Sequence, residues 1–187
     1  MSDAYSDIML NILNKHQDDN KWDGSLYEKI KRISNTKVGT IGQDFIENLC
    51  GMFQIECIFP EDLKNHKRLN QSPWDIQIEG IKFELKTATE DTNGNFQFNH
   101  IRYHRIYDGL ICLGISPNSI FYGIWSKAEV ATNDCGNLVS MEKNANASYK
   151  LTKQPRNLKP ISNFIQDINL LKSDNRFLKA ISKNLQS

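Results

Sequence analysis

Apolar residues recur at helical spacing in the first third of the chain and at strand spacing after it. Over residues 3–15, Ile8, Met9, Ile12 and Leu13 share one face, which predicts a short amphipathic helix. A polar break at 18–24 leads into a second helical segment through Ile30 and Ile33. Over residues 39–52, Ile41, Phe45, Ile46 and Leu49 form a helical stripe, with Gln43 and Glu47 one turn apart on the neighbouring face. Residues 54–59 read as a short apolar strand ended by Pro60, and 61–71 as a charged loop.

Residues 75–86 then read as strand, tight turn at Glu79-Gly80, and strand. Asp91-Thr92-Asn93-Gly94-Asn95 is a turn signal, and residues 96–104 alternate less cleanly than the hairpin. Residues 107–115 are almost continuously apolar, as befits a strand covered on both faces. A turn at 116–119 leads into 120–125, the expected antiparallel neighbour. Ser126 with Glu129 resembles a capping box opening a short helix. Residues 131–147 read as a polar loop, and amphipathic helices are expected at 161–171 and 174–183. Helices around a small mixed sheet make the expected class α/β.

Composition adds limits rather than direction. The 187 residues suit one domain able to bury a core without disulfides or structural metal. A net charge of +1 announces no nucleic-acid partner, but local charge is uneven. From Lys150 onward, Lys150, Lys153, Arg156, Lys159, Lys172, Arg176, Lys179 and Lys183 face only Asp167 and Asp174. Such a third fits a phosphate backbone or simply a solvated helix face. Cys50, Cys57, Cys112 and Cys135 show no Cys-x-x-Cys spacing, and Cys50 and Cys112 stand in apolar runs. With no basic leader and no apolar run near the roughly 20 residues that span a membrane, the expectation is a cytoplasmic protein without membrane contact.

The hairpin carries the candidate chemistry. Strand periodicity puts Glu84 and Lys86 on one face, with Phe83 and Leu85 on the other. Asp75 stands nine residues before Glu84, across the turn, so the two carboxylates can approach each other. A Glu-x-Lys tripeptide alone carries little weight, and an exposed cross-strand ion pair is worth under about 1 kcal/mol. Its context, a preceding helix and a following buried strand, raises it.

Ser72-Pro73-Trp74-Asp75 followed by Phe83-Glu84-Leu85-Lys86 resembles the core of the PD-(D/E)xK nuclease superfamily, the restriction-endonuclease-like fold. The resemblance covers residues 39–125, flanked by amino-terminal (1–38) and carboxy-terminal (126–187) accessory or dimerisation elements of a single nuclease domain. It implies a Mg2+-dependent DNA endonuclease, with type II restriction cleavage of double-stranded DNA by a homodimer as the leading form. Asp75, Glu84 and the main-chain carbonyl of Leu85 would be metal ligands, and Lys86 would orient or deprotonate the attacking water. The superfamily's helix acid often follows a glycine; here that position is Gly42-Gln43, so the role is assigned to Glu47 with Gln43 as competitor. A repair, junction-resolving or nicking nuclease, or a non-catalytic DNA-binding module, remain the alternatives.

Gln97, Asn99, His100 and Arg102 form a second candidate cluster, for contact with DNA. Gln and Asn pair bidentately with adenine, and Arg with guanine, in the major groove. A polar loop bonded to its own backbone would look the same. His100 and His104 lack the third ligand that zinc needs, and Asp91-x-Asn93-x-Asn95 lacks the glycine of a calcium loop.

Overall fold

The computed structural model describes residues 4–15, 21–62, 67–68, 72–142 and 147–178. In chain order it contains α1 (Ala4–Lys15), a 3-10 turn (Glu28–Arg32), α2 (Asn35–Met52), β1 (Cys57–Ile58), β2 (Glu61–Asp62) and β3 (Lys67–Arg68). The hairpin strands β4 (Ile76–Ile78) and β5 (Ile81–Thr89) follow, then β6 (Phe96–Ile101), β7 (Gly109–Ile115) and β8 (Ile120–Ser126). The chain continues through α3 (Lys127–Ala131), β9 (Leu138–Ser140), β10 (Tyr149–Lys153), β11 (Lys159–Pro160) and α4 (Phe164–Leu170).

A six-stranded sheet has the order β1-β4-β5-β7-β8-β11; β5 and β7 run parallel and every other pair antiparallel. A second sheet, β6-β10-β9, is not hydrogen-bonded to it and packs on one of its faces. The fold is α/β, with a mixed sheet flanked by helices.

The hairpin forms as the alternation predicts, with Ile76 opposite Phe83 and Ile78 opposite Ile81. Its two turn residues, Glu79 (φ 51°) and Gly80 (φ 80°), are both left-handed, the geometry that matches strand twist in a two-residue turn. A glutamate at that φ is held from outside: its N–H donates to the Glu56 carbonyl (3.1 Å), and its Oε1 accepts the Glu56 N–H (3.2 Å).

Strand β7 is buried along its whole length and divides two cores. Ile111 and Leu113 join Phe83, Leu85, Ile46, Phe164, Ile168 and Phe177 on the α2–α4 side. Leu110 and Cys112 join Phe96, Phe98, Ile101, Val130 and Leu151 beneath the second sheet. On β5, odd positions therefore face the helices and even positions face β6.

Several expectations change. Helix α2 starts at Asn35, four residues before the expected start at 39, and the strand expected at 54–59 is only Cys57–Ile58. The stretch 131–147, expected as a loop, contains β9, which exists because β10 pairs with it. Three residues are too few to show a period; the partner supplies the hydrogen bonds. The helix expected at 174–183 is turn over its first described residues, and beyond Leu178 it lies outside the described part. Helix α1 forms, but none of its residues is buried. No helix among the described residues is long and apolar enough to cross a membrane.

Candidate active site

Strand β5 outruns its hairpin partner. β4 pairs only with Ile81–Phe83, while β7 stays in register to Thr89. On the β4 side, Leu85 to Thr89 therefore border an open cleft of about 690 Å³ instead of a strand. Its walls include Gln43, Asp75, Lys86, Gln97, Asn99, His100 and Arg102.

Asp75 closes the hairpin where pairing stops. Its N–H still donates to the Phe83 carbonyl (2.9 Å), and its Oδ2 accepts the Leu85 N–H (3.0 Å). A side-chain oxygen thus replaces the strand partner that β5 loses, which fixes the carboxylate beside the next two residues. Lys86 Nζ lies 3.4 Å from Asp75 Oδ2 and 2.7 Å from Glu84 Oε1, so one ammonium joins both acids. The Glu84 side chain is fully buried, and neither carboxylate oxygen has a hydrogen bond despite the close contact with Lys86. Buried carboxylates normally have their lone pairs satisfied. Glu84 is absent from the cleft wall; it sits behind Lys86 and Arg102, which both line it.

A turn after β6 brings in two arginines. Arg105 N–H donates to the Arg102 carbonyl (3.1 Å), and this turn directs both side chains to the acids. Arg102 Nε lies 3.6 Å from Glu84 Oε1, and Arg105 Nη1 lies 3.8 Å from Asp75 Oδ1. Burial, with the neighbouring Arg102 charge second, lowers the Arg105 pKa from its ordinary value. Lys127 braces the turn: its Nζ donates to the Arg105 carbonyl and sits over the rings of Tyr103 (5.2 Å) and Tyr107 (4.6 Å). Burial, with the Glu84 charge second, pushes the Tyr107 phenol upward, so it stays protonated. Asp108 ties the turn to the hairpin, donating its N–H to the Lys82 carbonyl (2.7 Å) and accepting the Lys82 N–H (3.0 Å). Arg105 and Lys127 were not evident from the sequence. The Arg-x-x-Arg spacing of Arg102 and Arg105 is the one signal that pointed there, and only once a turn is known.

Helix α2 meets the sheet at Gly42. A Cβ there would stand 1.8 Å from Thr87 Oγ1, so the close approach requires glycine. That contact seats the next residue, Gln43, in the cleft wall, while Glu47 one turn on is exposed and takes no part in the wall. Of the two helix candidates, Gln43 is the one that lines the cleft together with Asp75 and Lys86.

Strand β6 carries the other cluster. Phe96, Phe98 and Ile101 are buried while Gln97, Asn99 and His100 are exposed. The irregular alternation has a cause: β6 holds one extra residue opposite β10 between Phe98 and Ile101, and His100 is left-handed (φ 58°). Gln97 Nε2 donates to Asp91 Oδ2 (3.0 Å), whose other oxygen accepts the N–H groups of Asn93 and Asn95 at 3.0 and 2.9 Å. Burial pushes the Asp91 carboxyl up, but these bonds and Lys21 carry it below the ordinary carboxylate range. Arg102 is turned to Glu84 rather than outward with Gln97 and Asn99.

Among the described residues, no group of three or more His, Cys, Asp or Glu side chains comes together as a metal site. The acids that do meet are Asp75 and Glu84, an all-oxygen set of the kind a hard divalent cation takes. No protein-family model and no curated protein matches the chain. Among solved structures, it is similar to the bacterial homing endonuclease I-Ssp6803I, with TM-score 0.36 and 11% identity over 52% of this chain and 72% of that one.

Proposed function

We propose that this protein is a Mg2+-dependent nuclease of restriction-endonuclease-like fold that hydrolyses phosphodiester bonds in double-stranded DNA. The observation that carries this reading is Glu84: a wholly buried carboxylate without a hydrogen bond, joined through Lys86 to Asp75 beside an open polar cleft. A carboxylate is costly to bury and is kept where it pairs with cations or coordinates a metal.

Asp75, Glu84 and the Leu85 carbonyl would hold the ion, which when bound lowers the pKa of a coordinated water and offsets charge developing on phosphate. Lys86, on the same strand face as Glu84, orients the attacking water, takes or shares its proton, and holds the scissile phosphate. Gln43 supports this group from α2. Gln97, Asn99 and His100, exposed along β6 at the rim, would meet base edges. Sequence-specific, type II-like cutting is the form we favour. One site cuts one strand, so cutting both calls for a twofold homodimer.

Plasmid DNA incubated with the purified protein and Mg2+ tests the reading. Discrete ends sharing one sequence support restriction-type cutting, and cuts set by DNA structure point to a repair or junction-resolving nuclease. Removing the proton-transfer group in Lys86→Ala should slow cleavage about 10²–10⁴-fold. Gln43→Ala should slow it more than Glu47→Ala. No cleavage by the native protein, or undiminished cleavage by Lys86→Ala, would sink the proposal.

A further inference from the structure

Three cationic side chains, Lys86, Arg102 and Arg105, face two carboxylates, Asp75 and Glu84. The cations outnumber the acids, and Arg102 stands between Glu84 and the cleft. A divalent cation entering this arrangement unchanged would meet repulsion from three like charges a few ångströms away.

The contacts are unequal. Lys86 holds Glu84 at 2.7 Å, whereas Arg102 and Arg105 stand 3.6 and 3.8 Å from their acids, beyond hydrogen-bond reach. Arg102 Nε is buried without any hydrogen bond. The arginines are therefore the cheaper pair to displace. A guanidinium also matches a phosphate better than a single carboxylate oxygen at such a distance, because its fork binds two phosphate oxygens at once.

Resting on the nuclease reading, we propose that Arg102 and Arg105 close the carboxylate pair in the absence of DNA and free it for the metal by moving onto a DNA phosphate. Metal and DNA then bind with positive coupling, and by reciprocity each raises the other's affinity by the same factor. The two arginines act as positioning residues, setting when the acids accept a cation.

The test is Mn2+ binding to the DNA-free protein, followed by electron paramagnetic resonance of the unbound ion. Arg102→Gln and Arg105→Gln should each bind Mn2+ about fivefold more tightly than the native chain, the low end of typical couplings. Arg105→Lys, which keeps the charge, should stay weak, and Asp75→Ala should abolish binding. Unchanged or weaker Mn2+ binding in both Gln variants overturns the proposal. Should Arg105→Gln fail to fold, Arg102→Gln decides alone, since its side chain is 31% exposed. In EDTA, each Gln variant should also lower the slope of log affinity for DNA against log salt by about one. An unchanged slope overturns the phosphate contact.

The two readings fail separately. Cleavage by the native protein without tighter Mn2+ binding in the variants removes the coupling and leaves the nuclease. Mn2+ binding through Asp75 with no cleavage of any DNA removes the nuclease.

Discussion

Asp75 Oδ2 accepts the Leu85 main-chain N–H at 3.0 Å, so the residue that ends one strand of the hairpin also completes the other. The same oxygen lies 3.4 Å from Lys86 Nζ. Structural and chemical duties therefore converge on one atom, and substitution can part them.

Asp75→Asn keeps an acceptor for Leu85 and loses the charge, whereas Asp75→Ala loses both. The alanine variant should lose about 1–3 kcal/mol in urea unfolding, because it strands a half-buried N–H, and the asparagine variant under about 1 kcal/mol. Both should lose metal-dependent cleavage. An active Asp75→Asn would show that the charge is not needed.

Gly42→Ala should force α2 away from β5, because the new Cβ would lie 1.8 Å from Thr87 Oγ1 and 2.9 Å from Thr87 Cβ. Overpacking of this kind costs about 1–3 kcal/mol. Thr87→Ala should recover part of it by removing the nearest atom, giving a non-additive double-mutant cycle in thermal unfolding. Additive effects would mean that the helix and strand do not meet there.

Acid should loosen the turn that holds Gln97. The Asp91 carboxyl is held below its ordinary value of 3.8, so its ionised form is favoured by folding. Its contribution is complete above that value and is lost as pH falls through the lower folded pKa. Thermal unfolding followed from about pH 5 down to about pH 2 should show a smaller drop for Asp91→Asn than for the native chain. Equal drops would assign the acid sensitivity elsewhere; Glu79, held down first by its hydrogen bond from Lys172, is the next group to examine.

Local residue patterns lay down the scaffold: the period-2 alternation around Glu79-Gly80 makes the hairpin, and the unbroken apolar run makes β7. Those patterns depend on neighbours one to four residues away, which the chain order already contains. They also set Glu84 and Lys86 on the face opposite Phe83 and Leu85. What meets that face is settled by packing between distant segments. Burial of Glu84 behind Lys86 and Arg102, the approach of Arg105 to Asp75, and the seating of Gln43 rather than Glu47 in the cleft all depend on contacts between distant segments. The Gly42–Thr87 contact, 45 positions apart in the chain, shows the reason. How closely α2 can press on β5 is fixed by one missing methyl group, and no local pattern records what lies opposite it.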